Sequence, residues 1–355
     1  MGLSKLKNAF FYYLYGKNLQ AKPFSENPKI LLVSTTGLGD FIFSLPSLKA
    51  LKKAFPNSEI SYLTNQTGKE LLQEEPDVSK VFTVTEPLFF SYFSLRKKLK
   101  KEHFDLIFLF HASQRLIFPL CASLKPKRFL GTKNHNKGLD FLFTDLASWN
   151  EPHEIDRRLE QVKLLVPDIE KTIPQITTTQ KEKEKARKTL ASLGISDTKP
   201  LLAIHAGAKD FYKCWPVENW LQFAQLVHQK GLFKILLLGG KNERSLNQIL
   251  QKEAPFLTEA PQDLSLRELA SLLTQVKVLV TNDTGPAHLA ASLHIATVPI
   301  FSPTDPKKYA PYNPSFTQVI YEKRTCIPCL QRKCQLPFCL YQISPERVFE
   351  KVSSL

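Results

Sequence analysis

Short apolar runs alternate with stretches of helical period along most of this chain. The apolar run Ile30–Val33 predicts a strand over Ile30–Ser34, and a glycine turn, TTGLGD, follows it. Phe41, Leu45, Leu48, Leu51 and Phe55 then recur at helical spacing, which predicts a helix from Phe41. Further strands are expected near Ile60–Thr64, Val81–Thr85 and Leu106–Phe110. The logic repeats downstream. Leu201–His205 reads as a strand, the loop AGAKDFYKC follows, and Trp215-Pro216 opens a helix. Lys234–Gly239, Val278–Thr281 and Thr297–Phe301 complete the second set. Such alternation predicts an α/β protein with two doubly wound parallel sheets. TIPQITTTQ (172–180) lacks apolar periodicity and is the expected linker. The expected organisation is a basic segment over 1–27, one Rossmann-like domain over 28–175 and a second over 176–355. In sheets of this kind ligands bind beyond the carboxyl ends of the strands.

Length and composition agree. The 355 residues suit two domains of roughly 100–200 residues each, and 43% hydrophobic with 23% charged residues excludes a disordered chain. No strongly apolar run is long enough to span a bilayer. The excess of 48 basic over 33 acidic residues gives a net charge of +15, which favours anionic partners. Eleven bases but only Glu102 and Asp105 on the acidic side fall between Arg96 and Lys137. This cluster lacks the interleaved aromatics of a nucleic-acid motif, so a nucleic-acid partner is not expected. Residues 3–19 pattern as a basic amphipathic helix, which suits either an anionic membrane surface or packing on the domain. No secretory signal is recognisable, and the cysteines are expected to be reduced in a cytoplasmic protein.

Three loops carry candidate chemistry. Asp40 ends TTGLGD directly before the expected helix, where it is either an N-cap or a general base. Gly37 and Gly39 would let the backbone turn tightly and a ligand approach. In NDTGPAHLAASL, Gly285 is the expected cap and Pro286 the first helical residue, leaving the amides of Gly285, Ala287 and His288 for a phosphate. Asp283 could accept bonds from a sugar hydroxyl, or close an Asx turn. His288 is either a satisfied buried histidine or part of the site. Lys213, in FYKCWP, can reach a pyrophosphate as a point charge, with Lys209 a rival on the same loop.

Together these pieces resemble glycosyltransferase family nine, the bacterial heptosyltransferases that build the lipopolysaccharide inner core. The matching stretches are ILLVSTTGLGDFIFSLPSLKALKKAFPNSEISYLT, HAGAKDFYKCWPVENW, LLLGGKNER and NDTGPAHLAASLHIATVPIFSPTDPKKYAPY, in the family's order over most of the chain. The resemblance implies a GT-B fold of two Rossmann-like domains with the active site in their cleft. It implies an inverting transfer from a nucleotide sugar, typically ADP-heptose, with no cofactor required. Carried over by position, Asp40 is the base, with Gly39 beside the acceptor, and Lys213 neutralises the diphosphate. Glu243 binds the ribose, Asp283 the sugar, and Thr284 and Gly285 the phosphates, while Gly207 and His288 complete the donor site. Ser34 departs from the pattern, standing where many relatives carry Lys or Arg. An anionic glycolipid would suit the basic first domain, with Arg115 in HASQRL facing it, at the inner face of the inner membrane and with the protein as a monomer. A non-catalytic sugar-nucleotide-binding protein and a GT-B-fold epimerase are the alternatives.

Cys326, Cys329, Cys334 and Cys339 crowd the tail at short spacing. Four thiolates could hold a structural zinc; unligated thiols and disulfides are the other readings.

Overall fold

The computed structural model describes residues 20–195 and 199–355 together with Phe11 and Tyr12. The expected helix over 3–19 otherwise lies outside the described residues. Two compact units divide the chain, Met1–Pro174 and Gln175–Leu355.

Each unit is built on one six-stranded parallel sheet. The first contains β1 (Lys29–Ser34), β2 (Glu59–Thr64), β3 (Lys80–Thr83), β4 (Leu106–His111), β5 (Arg128–Thr132) and β6 (Asp145–Ala147). Their spatial order is β3-β2-β1-β4-β5-β6. The second contains β7 (Leu201–His205), β8 (Lys234–Leu238), β9 (Thr258–Glu259), β10 (Val278–Asn282), β11 (Ala296–Phe301) and β12 (Ile320–Tyr321). Its order, β12-β11-β10-β7-β8-β9, repeats the first when the strands are counted from β7. Both sheets start in the middle, wind to one side, then return to the other. The winding reverses between β1 and β4, and again between β7 and β10. Those two points leave a crevice at the carboxyl ends of the strands.

The central strands are apolar because helices cover both sheet faces, and parallel strands so placed need no polar alternation. Ile107 through Phe110 in β4 and all of β7 are buried. Around β7, Trp215, Trp220 and Phe223 pack edge to face against one another. The Trp215 indole N–H donates to the Ile343 carbonyl at 3.0 Å, so the tail is tied to the core.

Several boundaries differ from the sequence expectation. The first helix spans Leu38–Ile42 with Gly37 as its N-cap, and a second spans Leu45–Ala54. Strands β5, β6, β9 and β12 were not anticipated, and two of them are only two residues long. Among the described residues no helix is long and apolar enough to cross a membrane.

Candidate active site

In the first unit the chain leaves β1 through Thr35–Gly39, and Asp40 occupies the third position of helix Leu38–Ile42. Asp40 is therefore not an N-cap: Gly37 holds that position and no side chain caps the helix. Its carboxylate is instead used sideways, across the crevice between β1 and β4. Oδ1 lies 3.0 Å from Arg158 Nη2 and 3.1 Å from His111 Nδ1, the residue that ends β4. Because a carboxylate only accepts, His111 must offer Nδ1–H to it. Burial pushes the Asp40 carboxyl up, yet the His111 hydrogen bond, the Arg158 charge and the Thr36 hydrogen bond overcome it. Together they hold the carboxyl well below the ordinary carboxylate range.

Arg158 belongs to helix Glu154–Lys163, which packs on helix Leu45–Ala54 and on β5. Its side chain is fully buried. Nη1 donates to the Glu154 carbonyl at 2.7 Å and to Glu154 Oε2 at 2.6 Å. Arg157 donates to the same Oε2 at 2.9 Å and to the Phe110 carbonyl at 3.0 Å. Burial alone would push Glu154 up, but the two guanidinium charges win and bring it to about 2. Arg157 is itself lowered, by burial and then by the like charge of Arg158. The result is a buried chain of alternating charge that ends at Asp40.

Arg115 follows β4 on the loop that begins at Ala112. Lys137 donates to the carbonyls of Ala112 and Ser113, each at 3.1 Å. Burial and the nearby Arg115 charge both lower the Lys137 ammonium. Two cations held beside one loop make a place where an anionic group is favoured.

In the second unit the corresponding crevice gathers the loop after β7 and the loop after β10. Lys213 Nζ closes a 2.6 Å ion pair with Asp283 Oδ2, which also accepts from Thr304 Oγ1 at 2.6 Å. Asn282 staples the two loops together. Its amide donates to the carbonyls of Ala206 and Gly207, and its oxygen accepts from Trp215 N at 3.0 Å. Thr281 Oγ1 bridges His205 Nδ1 at 3.2 Å and Thr284 Oγ1 at 3.0 Å. Burial pushes the His205 imidazole down, against the opposing pull of Glu243.

Helix Gly285–Ser292 is capped by Thr284, so Gly285 is its first residue and Pro286 its second, one position off the expected register. The Ala287 amide donates to the Thr284 carbonyl at 3.2 Å and is not free for a phosphate, contrary to expectation. His288 is buried one turn into that helix. Glu243 Oε2 accepts from the Gly240 amide at 2.8 Å. A side chain opposite it would have to displace Glu243, because a Cβ at Gly207 would come 2.3 Å from Glu243 Cγ. Gly207 and Glu243 are thus in contact, and Lys213 and Asp283 are paired. Lys209, the rival to Lys213, has no such pairing to Asp283.

The tail cysteines are free. All four line one cleft with Tyr212, Pro303 and Phe338. Among the described residues, however, no three His, Cys, Asp or Glu side chains are arranged to hold a metal ion, so the expected zinc is not supported. The spacing brought the cysteines to one cleft, but Cys326 is exposed while Cys339 is buried, and the sulfurs do not converge.

Sequence reasoning did not find His111, Arg158 or Glu154. Residues 92–339 match the sequence profile of Glycosyltransferase family 9 (heptosyltransferase), more than half of the chain. The chain belongs to glycosyltransferase family 9. Relatives extend the likeness to nearly full length. Lipooligosaccharide heptosyltransferase 2 of Campylobacter jejuni is 25% identical, covering 92% of this chain and 99% of its own. Lipopolysaccharide heptosyltransferase 1 of Escherichia coli is 24% identical, covering 92% and 100%. Among solved structures, the ADP-heptose lipopolysaccharide heptosyltransferase II of E. coli superposes with a TM-score of 0.75 at 18% identity, covering 92% and 98%. An E. coli heptosyltransferase solved with ADP gives 0.71 at 19% identity, covering 92% and 99%. Two Rossmann-type sheets of this kind are the GT-B fold, and this family 9 chain is a glycosyltransferase.

Proposed function

We propose that the protein transfers a heptose from ADP-heptose to the inner core of a lipopolysaccharide acceptor, with inversion at the anomeric carbon. The observation that carries this reading is the 2.6 Å pair of Lys213 and Asp283 beside the start of helix Gly285–Ser292. It places one cation, one carboxylate and a helix N-terminus at the crevice of the second sheet, which is what a sugar diphosphate needs. The curated relatives named above are heptosyltransferases over nearly their whole length, and solved neighbours hold ADP and an ADP-fluoroheptose, which supports the same donor.

On donor binding the diphosphate takes Lys213 away from Asp283, and the freed carboxylate accepts from a sugar hydroxyl. Thr284 and the Gly285 amide meet the phosphates, and Glu243, held by the Gly240 amide, meets the ribose. As the acceptor oxygen forms its bond to the anomeric carbon, the bond to the diphosphate breaks and ADP departs with the electron pair. Lys213 and the helix end stabilise that growing negative charge. Asp40 receives the acceptor proton. Its weak basicity is no obstacle, because the acceptor oxygen becomes far more acidic as the new bond forms. Arg158 and His111 act on Asp40, fixing which oxygen faces the acceptor. Arg115 and Lys137 would meet an anionic group of the glycolipid. These roles require no metal, and the reading has the enzyme act as a monomer at the cytoplasmic face of the inner membrane.

The test is transfer in vitro from ADP-heptose to lipopolysaccharide lacking that heptose. Mass spectrometry should show the gain of one heptose, and the new linkage should be of the opposite anomeric configuration to the donor. Donor hydrolysis or isomerisation with no product on the acceptor would overturn the reading.

A further inference from the structure

Helix Leu88–Lys100 carries a face that the fold leaves uncovered. Leu88, Leu95 and Leu99 are buried against the first sheet. On the opposite side Phe89, Phe90 and Phe93 are 73%, 84% and 80% exposed, more than any other phenylalanine among the described residues. Burial of large apolar side chains is the rule, so three such rings on two turns of one helix need an explanation. The same exposed face continues along the helix, four residues at a time, into Lys97, Lys98, Lys100 and Lys101, all exposed. No acidic residue occurs from Leu88 to Lys101.

We infer that this face docks onto an anionic lipid bilayer, the phenylalanines entering the headgroup–acyl boundary and the lysines lying among the headgroups. Only a bilayer of that charge meets both halves. Protein interfaces are depleted in lysine at their centre. A second copy of the chain would add another four lysines to one interface and, from this helix, no acid to pair with them. An acidic lipid surface instead attracts each lysine, whose stem can follow the rings inward while the ammonium stays in water. The helix is also held as a rigid platform. Its first amide, at Leu88, donates to Gln114 Oε1 at 2.7 Å, and Arg96 Nε donates to Ser123 Oγ at 2.8 Å. Gln114 precedes Arg115, so the docking face is tied to the loop proposed to meet the glycolipid. The inference goes beyond the transfer reaction and stands or falls without it.

The experiment is co-sedimentation of the full chain with vesicles of phosphatidylglycerol and phosphatidylethanolamine, and with phosphatidylcholine alone. The wild type should bind the anionic vesicles and lose that binding as salt is raised. Phe89→Ser/Phe90→Ser/Phe93→Ser should lower the partition coefficient by about 100-fold, with a melting temperature within about 4 °C of the wild type because, among the described residues, the ring contacts of these exposed side chains are only with one another and Tyr92. Lys97→Gln/Lys98→Gln/Lys100→Gln/Lys101→Gln should lower it at least about tenfold on anionic vesicles only. Phe93→Trp, with brominated lipid, should gain quenching relative to the wild type. Absence of vesicle binding by the wild type would overturn the inference. So would a serine variant that binds within about threefold of it, or one that merely turns a dimer into a monomer.

Discussion

Glu154→Gln is the sharpest probe of how the first unit holds Asp40. Glu154 Oε2 is the shared acceptor for Arg157 and Arg158, at 2.9 and 2.6 Å, and its side chain is only 9% exposed. Folding moves this carboxyl from an ordinary 4.5 to about 2. A displacement of that size corresponds to about 3 kcal/mol of stability at pH 7. The folded value lies below the unfolded one, so the contribution is fully present above about pH 4.5 and is lost as pH falls through about 2. Linkage leaves it at about 1.4 kcal/mol at pH 3. The glutamine keeps the shape and removes the charge, leaving two buried guanidinium groups with Asp40 as the remaining carboxylate. At pH 7 the variant should melt roughly 6–12 °C below the wild type, for a cooperative unit of this size. The assay is a pair of calorimetric or urea titrations across pH 3–7, following the first unit. The gap between the two proteins should hold constant from pH 7 to about 5 and then narrow to about half its neutral size by pH 3. A gap under about 2 °C at neutral pH, or one that does not change with pH, would refute the charge-chain account.

Other expectations bear on the donor side and on Asp40's partners. Lys213→Met should lower kcat by about 10²–10³ with a smaller rise in donor KM, since its charge is needed most as the diphosphate leaves; steady-state kinetics decide this. In Gly207→Ala the new methyl, 2.3 Å from Glu243 Cγ, must push Glu243 off the Gly240 amide. Donor KM should rise roughly tenfold while kcat changes little, and equal loss in both would contradict the ribose role. Arg158→Met should raise the Asp40 carboxyl from its depressed position, moving the acid limb of kcat/KM to higher pH, in addition to a stability loss of about 3–5 kcal/mol. An acid limb that stays in place would show that Arg158 does not act on Asp40.

What the sequence made legible follows from how each feature is encoded. The inner strands were readable because buried parallel strands are unbroken apolar runs, as in β4 and β7. Lys213 and Asp283 could be singled out because each sits in a loop at the end of such a run. Asp40 was found for the same reason but given the wrong local geometry. An acid directly before Phe41 imitates a cap, whereas Gly37 already fills that position and Asp40 is left free to face Arg158. Helix Glu154–Lys163 hid its contribution, because EIDRRLEQVK reads as a solvated charged helix. One signal was present: Arg158 falls within the stripe Ile155, Leu159 and Val162, with Glu154 one turn before it. A charge inside an apolar stripe must be buried with a partner. His111 offered a similar clue, a polar residue closing the run Leu106–Phe110. Strands β9 and β12, at two residues each, carry no period to detect. The tail cysteines show the opposite failure, where tight spacing predicted a ligand set that the folded chain does not assemble.

Asp40→Asn, assayed in parallel for donor binding and for transfer, bears most directly on the central claim that this carboxylate takes the acceptor's proton. The account predicts an ADP-heptose Kd within about threefold of the wild type and a transfer rate at least about 100-fold lower. A variant that still transfers heptose at the wild-type rate would contradict it.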